Sequence, residues 1–157
     1  MNRSIPVAIF AIALQCLCGC DGEQQQPAWL ELGAGLEAFE SLAEGDTVEL
    51  VHGSQGGWHV DLALRFGGFG PDGVHLRYGA LDPATGSEIS FVTEALLQER
   101  LVRPIDEGWE RLGDRVVFDI AAADEVLDTE VLIEVTASAD DDSWSDSRGV
   151  LVVDEAL

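Results

Sequence analysis

The sequence predicts an all-β antiparallel sandwich of about seven strands, and three observations predict it. Short segments alternate apolar and polar residues with period two, Gly, Pro, Asp and Ser clusters divide them, and no long stretch repeats at the helical period. Of the 157 residues, 46% are hydrophobic and 24% charged. That apolar share suffices for one buried core and is too large for a disordered acidic tail, even at a formal net charge of −22.

The first nineteen residues stand apart from the fold. Met1-Asn2-Arg3 is a short positive start, and residues 5–14 are apolar except for the break at Pro6. That run is too short for a permanent membrane span, which takes about 20 residues, and it suits the apolar region of a secretory signal. An ordinary secretory signal that happens to carry cysteines is the plainer alternative.

Leu17-Cys18-Gly19-Cys20 resembles a bacterial lipobox, with an aliphatic residue at −3, small residues at −2 and −1, and the obligatory Cys at +1. The resemblance implies cleavage before Cys20, diacylation of its sulfur and further acylation of its new amino group. Three acyl chains, at about 0.8 kcal/mol per buried methylene, hold a protein on a membrane essentially permanently. The expected organisation is a signal peptide over 1–19, a flexible tether over 20–30 and a sandwich domain over 31–157. The cysteines are Cys16, Cys18 and Cys20, so the mature chain keeps one, acylated, and has none to form a disulfide. Cleavage removes one positive charge, Arg3, and no acid, taking the charge from −22 to −23. Asp21 beside the acylated Cys resembles the inner-membrane retention signal of enteric bacteria. The expected location is therefore the cell envelope, on the outer membrane or the periplasmic face of the inner one.

Within the domain the clearest strand is 59–66, where Val60, Leu62, Leu64 and Phe66 face one way and His59, Asp61, Ala63 and Arg65 the other. Segment 47–52 offers Val48 and Leu50 to the core, 74–81 offers Val74, Leu76, Tyr78 and Ala80, and 88–93 offers Ile89 and Phe91. Segments 116–120, 130–137 and 149–155 complete the set, with turn signals at 67–73, 82–86 and 140–147. Count and spacing resemble the immunoglobulin-like sandwich, without its Cys pair and the Trp between them. A small open barrel is the rival. Leu36, Phe39 and Leu42, three apart within 35–45, fit one or two helical turns or an irregular first strand. Residues 93–103 read as a short helix or an extended arm, stopped by Pro104.

Charge excludes some functions. The 8 basic residues are all arginine, against 30 acids. Such a chain repels nucleic acid and anionic headgroups, so no nucleic-acid partner is expected. Contact with a membrane would come through the lipid anchor.

The most unusual segment is Gly53-Ser54-Gln55-Gly56-Gly57-Trp58-His59. This G-x-Q-G-G-W-H run, with Phe39-x-x-Leu42-x-x-Gly45-Asp46 ahead of it, resembles a pattern in bacterial envelope lipoproteins. The resemblance covers about the first half of the domain and implies an envelope setting without an activity. It is no phosphate loop, having neither Lys nor a following helix. It reads as a wide hairpin loop that lets Trp58 fold onto the sandwich end. The functional alternative is a ligand or partner loop of Gln55, Trp58 and His59, with Trp58 as a stacking surface and Gln55 as a hydrogen-bonding group.

Other candidates are weaker in pattern. Arg65 and Arg77, with Asp61 and His75, form a small polar patch if their strands pair as a hairpin; the Arg fork suits carboxylates and phosphates. Asp140, Asp142 and Asp146 sit at alternate positions of an oxygen-rich loop and suggest a partial calcium series, broken by Trp144. His52, His59 and His75 could in principle hold Zn²⁺ or Cu²⁺, although their spacing matches no compact ligand motif. Nucleophile-elbow and zinc-protease motifs are absent. The sequence therefore reads as a lipid-anchored, non-enzymatic binding or structural module, its partner an envelope protein, a peptide or a glycan. No cofactor is expected, and binding of a metal ion or small ligand is the second reading.

Overall fold

The computed structural model describes residues 26–154, so the signal peptide, Cys20 and most of the tether lie outside the described residues. The described chain folds as β1 (Trp29–Ala34), β2 (Glu40–Ser41), β3 (Thr47–Glu49), β4 (Val51–His52), β5 (Trp58–Gly67) and β6 (His75–Leu81). There follow β7 (Thr93–Leu96), β8 (Arg103–Ile105), β9 (Gly108–Phe118), β10 (Glu130–Ala139) and β11 (Asp142–Val153). Two 3₁₀ turns, Glu99–Leu101 and Ala123–Glu125, are the helical elements among the described residues.

The strands form two sheets. One has the order β2-β1-β5-β9-β8, with β4 also paired to β5; the other has the order β3-β11-β10-β6-β7. All pairs are antiparallel except β3 with β11. The inward faces supply a single core, in which Val60, Leu62, Leu64 and Phe66 of β5 meet Leu76, Tyr78 and Ala80 of β6 and Val131, Ile133 and Val135 of β10. The all-β sandwich expected from period-two alternation is the observed fold.

Several details differ from expectation. Segments 59–66 and 74–81 do not pair with each other; β5 and β6 lie in opposite sheets. Segment 47–52 is two strands, because the chain changes sheets at the buried Leu50, whose N–H donates to Val153. Segment 88–93 makes no strand before Thr93, where β7 starts. It forms isolated bridges, Glu88 with Leu81 in one sheet and Ser90 with Phe118 in the other, and so ties the two together. Residues 93–103 hold β7, a 3₁₀ turn and the start of β8, so the extended arm prevails over the helix. The arm wins because its backbone finds a partner: Thr93–Leu96 completes the edge of β6. The stretch 35–45 contains the short β2 and no helical turn. The true first strand is β1, which begins at Trp29, inside the expected tether.

Two buried polar arrangements lie within this frame. A bulge in β9 displaces the register between Leu62 and Ala63 of its partner β5, at Gly113, whose φ is +76°. Glycine suits that left-handed conformation and the extra residue it inserts. The bulge turns both Arg111 and Asp114 to the interior. Arg111 there grips Asp114 through Nε and Nη2, both at 2.6 Å, and the Tyr78 hydroxyl donates to the same carboxylate. Burial first, and the adjacent Asp114 second, hold the Tyr78 phenol well above its ordinary range, so it stays a proton donor.

On the outer face of the same sheet, the Glu110 carboxylate is 1% exposed and clamped between Arg65 and Arg103. The Phe39 ring covers Arg65 at 4.3 Å, and it also covers Gly33, where a side chain would collide with it.

Candidate functional site

The Gly53–Gly57 loop joins β4 to β5 at one end of the sandwich. It closes on itself, Gly53 N–H donating to Gly57 and Gly56 N–H to Gly53. Gly56 and Gly57 adopt φ of +88° and +85°, with open space where a Cβ would stand. Side-chain residues would strain that path. The loop folds over the outer face of its sheet and encloses a hollow of about 290 Å³ with Ser54, Gln55, His59, Arg115 and Val117 among its walls.

His59 lines this hollow. Its imidazole is only 8% exposed, yet Nε2 makes no hydrogen bond among the described residues. Nε2 lies 3.6 Å from Asp61 Oδ1, beyond hydrogen-bond range. Nδ1 faces the loop, since a Cβ on Gly53 would lie 3.7 Å from it. Asp61 itself is held by Arg115, whose Nε donates to Oδ1 at 2.8 Å. Burial lowers the His59 pKa from the ordinary imidazole value; Asp61 opposes that shift and Arg115 adds to it. A buried polar group left unpaired costs about 1–3 kcal/mol, so such an imidazole calls for a physical account.

The residues singled out from sequence distribute unevenly around this site. Gln55 and His59 both line the hollow. Trp58 does not, because alternation along β5 turns it to the opposite face, where it meets His52 at 4.6 Å and packs on the core. Pattern reading missed Ser54 and Arg115 as partners, and set Asp61 in a patch with Arg65 and Arg77. Asp61 and Arg115 had one signal, an acid and a scarce cation on outward-facing strand positions, but strand pairing was needed to place them opposite each other.

Arg65 and Arg77 do not form one patch. They stand on different sheets, where Arg65 binds Glu110 and Arg77 binds Glu88, so the hairpin needed to join them does not exist. The expected 140–147 loop shrinks to a turn at Asp140 and Asp141, because Asp142 already pairs with Ala139 and β11 runs on from there. Asp142 is therefore a strand residue. Asp146 accepts the Leu32 N–H on Oδ2 at 2.8 Å and Arg148 on Oδ1 at 2.5 Å, which staples β11 to β1. His52 sits on β4, His59 faces the other side of that sheet, and His75 lies on β6 in the second sheet. Among the described residues no group of three His, Cys, Asp or Glu is placed to hold a metal ion.

The remaining clefts are rimmed by acids. The one between Ile89, Ile120 and Val131 carries Asp82, Glu88, Asp119, Glu125 and Glu130. Among the described residues, six arginines are committed to ion pairs, and Arg100 donates instead to Gln98. The acid excess is thus spread over the surface, while the glycine-loop hollow has Arg115 on its wall, with Asp61 paired to it from behind.

No protein-family model matches the chain, and no curated protein matches it.

Proposed function

We propose that this chain is a lipid-anchored cell-envelope protein that presents a β-sandwich binding module, with the glycine-loop hollow as its outward contact. Polarity of the fold carries the reading. The chain enters the sandwich at Trp29, opposite Gly67, whereas the hollow sits at the Trp58 end of the same strand. The 10 residues of β5, at about 3.3 Å each, separate the two ends by roughly 30 Å. An anchor at Cys20 therefore joins the sandwich at the end opposite the hollow, which is left clear of the attachment point. The stretch between Cys20 and Trp29 adds a reach of up to roughly 30 Å when extended.

The module acts by binding an envelope protein, a peptide or a glycan, and no reaction is assigned to it. The lipobox and the acidic charge support an envelope setting and argue against attachment to anionic headgroups through the protein surface. Replacing Cys20 with Ala and fractionating the cells tests the anchor. The native chain is expected in the membrane fraction, released by detergent alone, and the Cys20→Ala chain in the soluble fraction. Equal membrane retention of both chains contradicts the anchor.

A further inference from the structure

We propose that the glycine-loop hollow takes one neutral, hydroxyl-rich ring, a saccharide unit, which donates to His59 Nδ1 and accepts from Arg115. The inference rests on reading the hollow as the contact surface of the binding module, and it adds the chemical class of what is bound.

Proton placement is the first argument. Asp61 Oδ1 lies 3.6 Å from His59 Nε2. A carboxylate favours the tautomer with its proton on the facing nitrogen, which leaves a lone pair on Nδ1. That lone pair is turned toward Gly53, which also lines the hollow. Arg115 supplies the opposite need. With Nε committed to Asp61 and the side chain 54% exposed, its terminal N–H groups are donors at the wall of the hollow. A ligand must therefore donate at one point and accept at another close by, and adjacent hydroxyl groups do both.

Charge is the second argument. Asp61 and Arg115 oppose each other within the ion pair, and the buried imidazole is held toward its neutral form. An anion would be repelled by a chain of net charge −22, and a cation would meet Arg115. A neutral polar ligand meets neither penalty.

Size and shape agree. About 290 Å³ stands at the lower limit of small-molecule sites, enough for one ring. Val117 offers an apolar wall for the C–H face of a sugar, while Ser54 and Gln55 add hydrogen-bonding groups at the rim.

The test follows the His59 ring nitrogens by NMR in the full chain, purified in detergent. Glucose, galactose, mannose and N-acetylglucosamine are titrated to millimolar concentration, beside acetate and trimethylammonium as charged probes. At least one sugar is expected to shift the His59 signals and leave those of His75, on the other sheet, in place. Arg115→Met is expected to weaken that binding about tenfold or more, the loss of a charged hydrogen bond. Ser54→Trp, at an exposed position that fills the hollow, should block it while the thermal midpoint stays unchanged. If a charged probe moves His59 and no sugar does, the saccharide class falls and the contact surface stands. If no probe moves His59, both fall. Sugar binding that is equally tight in both variants also overturns the proposal.

Discussion

Tyr78, Asp114 and Arg111 in the interior of the sandwich, and His59 beneath the glycine loop, are all polar side chains withdrawn from water. In the interior, two donors converge on one carboxylate, and a bulge at Gly113 sets both members of the ion pair on the inward face. At His59 an imidazole is also buried, yet its Nε2 lacks a hydrogen bond among the described residues. The contrast separates two uses of a buried polar group. A closed cluster fixes how two sheets face each other and leaves nothing for a ligand. An open group beside a hollow keeps its hydrogen-bonding capacity for something that arrives later.

The largest expected effect falls on the closed cluster. Asp114→Ala leaves the Arg111 charge and the Tyr78 hydroxyl buried without their partner, and breaking such a pair costs about 3–5 kcal/mol. Urea denaturation should show the loss, and a cost under about 1 kcal/mol would mean that the cluster relaxes into water. A smaller and pH-limited effect falls on the open group. The pKa of His59 is lowered in the folded state by burial, so below about 6.5 the unfolded chain binds the extra proton first. Stability from this group is complete at neutral pH and declines as the pH falls from about 6.5 through the folded value. His59→Gln should flatten that part of the stability profile; an unchanged slope would place the titration on another group.

The core of this fold was legible because alternation is local. Val60, Leu62, Leu64 and Phe66 sit inward as their spacing requires, and so do Leu76, Tyr78 and Ala80. Pairing was not legible, because it depends on contacts far apart in the chain. The switch of sheets at Leu50 and the bridging role of Ser90 arise from backbone groups whose partners, Val153 and Phe118, are distant in sequence. The same reason explains the candidate site. Gln55 and His59 could be singled out by the unusual glycine run, but Arg115 joins them only through the register of β5 with β9. Asp146 shows the converse: an apparent ligand series dissolved once its carboxylate was seen to staple two sheets.

The most direct measurement is the protonation state of the His59 imidazole, read from its ¹⁵N chemical shifts in the ligand-free protein at neutral pH. The account predicts a neutral ring with its proton on Nε2, toward Asp61, a bare Nδ1 and a titration midpoint below that of an ordinary histidine. A proton on Nδ1, or a ring already charged at pH 7, would leave the hollow without an acceptor and contradict the account.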